Sequence, residues 1–330
     1  MSYRSVEEIF EAFDDLKVLI VGDVMVDAYI WGVVERISPE APVPVVRTTK
    51  RDFRLGGAAN VALNVQSLGA TPLLCAVVGD DDSGKRFINR LSEKDISSEG
   101  IVVSAERPTT VKTRVMTSHQ HVVRVDEETD VLLSKQEEAA VYKKIQQLMD
   151  QADVVIFEDY DKGVLSKGLI KDVVDLAQKK GIPTVVDPKK RNFLHYKHVT
   201  FFKPNLKELK EGLKLDFDKS DQKAIEEAVA DLSKKLESKG SLITLSERGV
   251  YVDYKGENHL VPAHMREISD VSGAGDTVIS IAALCVALDL PPFMIAALSN
   301  LGGGLVCEYV GVVPINKQSL LKEAVKQNWI

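Results

Sequence analysis

Five short apolar runs alternate with helical patterns along most of this chain, and that alternation limits the possible fold more than any other feature. The runs are Lys17 to Asp23 (KVLIVGD), Thr71 to Gly79 (TPLLCAVVG), Ala152 to Tyr160 (ADVVIFEDY), Ile182 to Pro188 (IPTVVDP) and Ser241 to Ser246 (SLITLS). Each is continuously apolar, as strands buried on both faces should be. Helical periodicity separates them over Ala58 to Leu68, Ser83 to Lys94, Ser134 to Asp150, Ser166 to Lys180 and Asp221 to Lys239. The pattern predicts an α/β fold: a mainly parallel central sheet covered by helices on both faces.

Two stretches break the rhythm. Tyr29 to Arg54 is rich in Pro, Val and Arg, and Thr109 to Glu128 (TTVKTRVMTSHQHVVRVDEE) alternates like a two-faced hairpin. They predict a small β lid, over about 29–54 and 109–128, beside one domain that spans 1–330 without repeat or linker. The lid valines, Val111 and Val115 with Val123 and Val125, form an apolar face too large for a flap to bury alone. A homodimer that packs two lids together is the expected solution.

The 330 residues are 45% apolar and 28% charged, with a net charge of -7. That balance argues against a general nucleic-acid surface or an anionic membrane surface as partner. The acidic N-terminal stretch lacks the apolar core of a signal peptide, and no apolar run reaches the roughly 18 residues of a membrane span. Cys75, Cys285 and Cys307 lie far apart in apolar segments, so they read as reduced core residues of a cytoplasmic protein. The run Asp80, Asp81, Asp82 should cap the helix that follows it. His119 and His121 share one strand face and read as lid surface rather than metal ligands.

The chemistry concentrates in DVSGAGDT, Asp270 to Thr277. A glycine-rich turn that opens a helix gathers unpaired N–H groups at the positive end of the helix dipole, which makes a nest for an anion. An aspartate beside such a nest repels the anion, unless it serves as a base for a hydroxyl attacking the phosphoryl group held there. An ordinary helix start, capped by Asp270 or Ser272, is the alternative. There is no P-loop, no protein-kinase H-R-D or D-F-G, and no dinucleotide fingerprint after the first strand.

DVSGAGDT resembles the C-terminal signature of the ribokinase-like (PfkB) sugar kinases. LGGAANVA (Leu55 to Ala62) resembles their N-terminal signature, KPNLKE (Lys203 to Glu208) carries their N-x-x-E element, and TLSERG (Thr244 to Gly249) resembles their nucleotide-binding turn. The resemblance implies a ribokinase-like three-layer α/β/α sandwich with a β lid, a carbohydrate kinase activity, and ATP with Mg²⁺. Within the family, GDVMVDAYIWG (Gly22 to Gly32), ERISPEAPVPVV (Glu35 to Val46), EDYDKGVL (Glu158 to Leu165) and VDPK (Val186 to Lys189) are similar to the D-glycero-D-manno-heptose-7-phosphate kinases. That similarity implies ATP-dependent phosphorylation of the anomeric O1 to the 1,7-bisphosphate, on the route to nucleotide-activated heptose and lipopolysaccharide. The chain ends soon after GVVPI (Gly311 to Ile315) without an H-x-G-H nucleotidyltransferase motif, so a stand-alone kinase is expected. A kinase for fructose 6-phosphate or an unphosphorylated sugar, or a non-catalytic sensor, is the alternative. Ala28 and Glu158 depart from the pattern: relatives usually carry a larger polar residue and a serine there.

By the same resemblance Asp276 is the catalytic base, and Ser272, Gly273, Ala274 and Gly275 supply the nest. Asn205 and Glu208, one helical turn apart, suit a hydrated Mg²⁺, with Glu208 reaching it through water; a cap plus a solvated Glu is the alternative. Lys203 is a phosphate contact or a strand end. Thr244, Ser246, Glu247 and Gly249 flank the nucleotide, and Asn300 resembles the asparagine on the adenine side. Gly302, Gly303 and Gly304 mark close packing or ligand approach. Asp27, Gly56, Gly57 and Asn60 suit the sugar hydroxyls, with Asp159 and Lys162 adding contacts and Lys189 neutralising phosphate. Arg47, Arg114 and Arg124 are the cations available for the 7-phosphate.

Overall fold

The computed structural model describes residues 3–117, 120–264 and 266–330. Its larger sheet has nine strands. From edge to edge they are β13 (Glu257–Val261), β12 (Val250–Tyr254), β11 (Gly240–Thr244), β10 (Phe201–Phe202), β9 (Thr184–Asp187), β8 (Val154–Glu158), β1 (Lys17–Gly22), β4 (Thr71–Gly79) and β5 (Gly100–Ser104). β11 to β5 pair in parallel throughout, and β12 and β13 add an antiparallel hairpin at one edge. The five expected strands are all present in the parallel part. The short β5 and β10 and the edge hairpin carry too weak a local signal to be read from sequence.

Helices cover both faces. α1 (Val6–Ala12), α2 (Ala58–Ser67), α3 (Asp82–Ser92), α8 (Ala274–Ala287), α9 (Pro292–Val306) and α10 (Lys317–Val325) share one core with Val18, Ile20 and Ile156. α4 (Lys135–Met149), α5 (Lys167–Lys180), α6 (Leu206–Leu213) and α7 (Gln222–Leu236) share the other with Leu19, Val21 and Phe157. Successive strand residues point to opposite faces, so two cores explain why the consecutive residues Val18–Val21 of β1 and Val154–Phe157 of β8 are all apolar. Local chemistry starts the helices where the pattern placed them: Ser134 and Glu137 form a capping box on α4, and Ser166 caps α5. Asp81 caps α3 through the Gly84 N–H at 2.7 Å.

The smaller sheet runs β3 (Pro44–Gly57), β2 (Val24–Ile37), β6 (Val111–Met116), β7 (His121–Glu127). It begins earlier than the expected Tyr29, because Asp23 alone separates β1 from β2. β7 is exposed along nearly its whole length, with Val123 and Val125 both half exposed, and Ile37 and Val43 are exposed near the β2–β3 turn. His121 is exposed; His119 lies outside the described residues. Cys75 and Cys285 are buried and Cys307 is half-buried, all as free thiols. Among the described residues no helix is long and apolar enough to cross a membrane.

Candidate active site

Parallel strands present their carboxyl ends at one rim of the sheet, where ligands of such folds bind. Here that rim carries charge. Register aligns Gly22, Glu158 and Asp187 across β1, β8 and β9, and Asp276 stands above them on the first turn of α8. α8 starts at Gly273, whose φ of 80° is left-handed and whose side has no capping group. Asp270 does not cap the helix. It accepts from the Ser272 and Gly311 N–H groups, both at 2.9 Å. The first-turn N–H groups of Gly275 and Asp276 therefore have neither an intrahelical carbonyl nor a side-chain cap. A Cβ on Gly275 would lie 3.6 Å from Asp187 Oδ2 and 3.8 Å from Lys203 Nζ, so this bare turn faces an ion pair.

Asp276 is buried and held from both sides. Asn60 Nδ2 donates to one carboxyl oxygen at 2.6 Å and Tyr160 OH to the other at 2.8 Å. Burial raises its pKa to about 6; the Asn60 and Tyr160 hydrogen bonds work against that rise. Asn60 Oδ1 is buried without a partner among the described residues, an acceptor left beside the carboxylate. Asn60 sits on α2, which starts at the close approach of Gly56 and Gly57 to the lid root. Gly57 has a φ of 60°, and a Cβ there would fall 2.5 Å from the Asp23 carbonyl; one on Gly56 would collide with the Asp27 carboxylate.

Lysines meet the acids. Lys203 is buried and pairs with Asp187 at 2.8 Å; Lys189 pairs with Glu208 at 3.0 Å and lies 3.7 Å from Asp187. Burial disfavours both charges, but Asp187 and Glu208 outweigh it and hold both lysines protonated. Asn205 caps α6 by accepting from the Glu208 N–H at 2.8 Å, and the Glu208 carboxylate in turn accepts from the Asn205 N–H at 2.8 Å. Capping is thus the observed work of Asn205, while Glu208 turns its other oxygen into the cleft towards Lys189.

Of the residues expected to flank a nucleotide, Thr244 bridges to Asn205, Ser246 and Glu247 lie in a single 3₁₀ turn closed by Gly249, and Asn300 donates to the Pro262 carbonyl at 2.8 Å. The Glu247 carboxylate pairs with Lys219 at 2.6 Å on the exposed rim. Ser272 is exposed at the entrance to the α8 turn. Gly302 and Gly303 pack α9 on α8: a Cβ on the first would collide with Ile281, and on the second would lie 2.7 Å from Val278. Only Gly304 faces elsewhere, towards Arg266.

On the lid side Asp27 is buried and paired with Arg114. Arg47 pairs with Glu35 at 2.7 Å and Arg124 with Asp126 at 2.9 Å, both on exposed lid surface. Lys162 binds Glu128 at 2.8 Å, and its N–H joins those of Tyr160 and Val164 on the Asp23 carboxylate. Asp159 turns away from Asp276: Asn192, Tyr196 and the Asp161 N–H occupy its oxygens. The structure thus gathers Asp276, Asn60, Gly275, Lys203, Lys189 and Glu208 at one place and leaves Asp159, Glu247, Arg47 and Arg124 outside it. Two residues of this cluster, Tyr160 and Asp187, are not singled out by the sequence reading, although both stand as polar residues at the ends of apolar strands.

Residues 15–318 match the family model for pfkB family carbohydrate kinases. The chain belongs to that family. It is a phosphotransferase acting on a sugar hydroxyl, in a family whose enzymes use ATP. Among curated proteins it is 36% identical over 321 residues to the bifunctional protein HldE of Syntrophotalea carbinolica, covering 97% of this chain and 65% of that protein. It is 39% identical over 316 residues to the HldE of Methylobacillus flagellatus, covering 95% of this chain and 64% of that one. The chain therefore spans somewhat under two thirds of the length of these relatives. Among solved structures, phosphofructokinase-2 from Escherichia coli in complex with potassium superposes with a TM-score of 0.77 at 16% identity, covering 93% of this chain and 97% of the other. Arabidopsis thaliana ribokinase complexed with ribose and ATP gives 0.72 at 17%, covering 93% and 98%. These likenesses establish a ribokinase-like fold.

Proposed function

We propose that this pfkB-family kinase transfers the γ-phosphoryl group of ATP to the anomeric O1 of D-glycero-D-manno-heptose 7-phosphate, giving the 1,7-bisphosphate and ADP. The observation that carries the reaction is the α8 turn, which puts a buried carboxylate and free N–H groups within one helical turn. Asp276 accepts the O1 proton as O1 attacks phosphorus, and the bond from phosphorus to the β-γ bridging oxygen breaks. Asn60 and Tyr160 hold the carboxylate at the attacking angle, and the free Oδ1 of Asn60 accepts from a sugar hydroxyl. The free N–H groups of Gly275 and Asp276, with Lys203, take up charge on the transferring group. Asp27, Gly56 and Gly57 line the sugar, and Thr244, Ser246 and Asn300 flank the nucleotide. Mg²⁺ fits as a hydrated ion: among the described residues no three acidic, His or Cys side chains converge to hold a metal directly, and Glu208 offers a carboxylate oxygen beside Lys189. Bound there, the ion would supply charge neutralisation to the phosphates.

The heptose rests on the Gly22–Val46 and Glu158–Lys189 motifs and on the relatives named HldE. The exposed valines of the lid support a dimer formed through that sheet. ADP release with Mg-ATP should be strong on the heptose 7-phosphate and weak on fructose 6-phosphate. Turnover on the hexose alone would sink the heptose and keep the mechanism.

A further inference from the structure

Glu158 ends β8 between Gly22 and Asp187. It is fully buried, and neither carboxyl oxygen has a hydrogen-bond partner among the described residues. A buried carboxylate needs donors or a counter-ion. Two neighbours, Asp187 and Asp276, are themselves carboxylates, and Tyr160 gives its hydroxyl to Asp276. The lysines in range are committed: Lys203 to Asp187, and Lys189 to Glu208. On the β1 side Gly22 offers only backbone. The site therefore holds two carboxyl groups in contrasting surroundings, Asp276 with two donors and Glu158 with none.

We propose that Glu158 is a positioning residue for phosphoryl transfer: while neutral it lets Asp276 ionise as the base, and its ionisation on raising the pH closes the site to the anionic nucleotide. The proposal rests on the reading of Asp276 as that base. Burial, with Asp187 and Asp276 adding to it, pushes the Glu158 carboxyl well above the ordinary range; Asp276 is raised to about 6, with the Asn60 and Tyr160 hydrogen bonds holding it down. Environments that separate two carboxyl groups in this way assign them different charges at one pH. The working window is the interval in which Asp276 has lost its proton and Glu158 has kept its own. Above it a further negative charge beneath the nest opposes the γ-phosphoryl group. Because the groups interact, the two limbs of the pH profile belong to the pair.

The test is the pH profile of kcat/KM for ATP in the native enzyme and in Glu158→Gln, with Asp276→Asn alongside. The native profile should fall about tenfold per pH unit on its alkaline side, and Glu158→Gln should keep the acid limb and lose the alkaline one. An alkaline limb that persists in Glu158→Gln overturns the proposal. Stability gives a second readout. A carboxyl raised in the fold is protonated there while ionised in the unfolded chain, so the native protein loses stability as pH climbs from the ordinary carboxylate range to the folded pKa. The Tm of Glu158→Gln relative to native should therefore rise with pH across that interval; a constant difference counts against the idea. Should the glutamine variant not fold, the infrared band of a protonated carboxyl at neutral pH in the native enzyme, lost in Glu158→Ser, takes its place, and its absence from the native enzyme overturns the proposal. Full turnover by Asp276→Asn sinks the base itself, whereas a dead Asp276→Asn beside an unaltered Glu158→Gln profile sinks only this inference.

Discussion

Asp276 and Asp159 show why position outranks titration at the residue scale. Burial raises both to about 6. Asp159 sits behind the cleft, bonded to Tyr196 at 2.7 Å and Asn192 at 3.0 Å, whereas Asp276 faces the nest. Asp276→Asn keeps the shape and removes the base, so kcat should drop by about 10²–10⁴ with KM for both substrates little changed; steady-state kinetics decide. The sign of the pH effect on the acid side follows from the ionised form being active: kcat/KM should fall as pH drops through about 6 and recover above it, up to the limb assigned to Glu158. A rate independent of pH through that region would remove Asp276 from the proton transfer.

At the scale of elements, two features carry consequences. α9 lies against α8 through Gly302 and Gly303, where added methyl groups meet Ile281 and Val278 in a closed core. Gly303→Ala gains helix propensity but overpacks, and overpacking costs about 1–3 kcal/mol, more than the roughly 1 kcal/mol that alanine returns. A lower Tm with unchanged kcat is the expected result. The lid is the other feature. A four-stranded sheet with Val123 and Val125 half exposed buries little by itself. Replacing both valines with aspartate should convert a dimer to a monomer in light scattering without unfolding the main sheet; a protein already monomeric at micromolar concentration would refute the lid interface.

At the scale of the molecule, the site is assembled from segments far apart in the chain, so it exists only when both cores are closed. The thiols report that closure. Cys75 is buried in one core, with its pKa pushed up to about 12 by burial, and Cys285 is buried in the other and raised further. Neither forms the reactive thiolate in the native state. A thiol reagent should modify Cys307 ahead of them and reach Cys75 and Cys285 only on unfolding, at rates that saturating ATP and sugar phosphate slow by mass action. Fast native-state labelling of Cys75 would show that the α4–α5 side opens locally.

The sequence by itself determined the strands buried on both faces, the limits of five helices to within three residues, and the turn that carries Asp276. Those signals are local: apolar runs, a cap three residues from its partner, glycines at a helix mouth. Only the tertiary structure decided which polar residues meet. Tyr160 and Asn60 lie 116 and 216 positions from Asp276 yet bond its two oxygens. Asp159 and Glu158 are neighbours in sequence, but strand alternation sends one into a hydrogen-bonded wall and leaves the other bare beside Asp187. Lys203 and Lys189 owe their charge to acids that parallel pairing brings to the same level. Sequence spacing reports which way a side chain points along its own element; what it finds there depends on register and burial between elements, which no local pattern encodes.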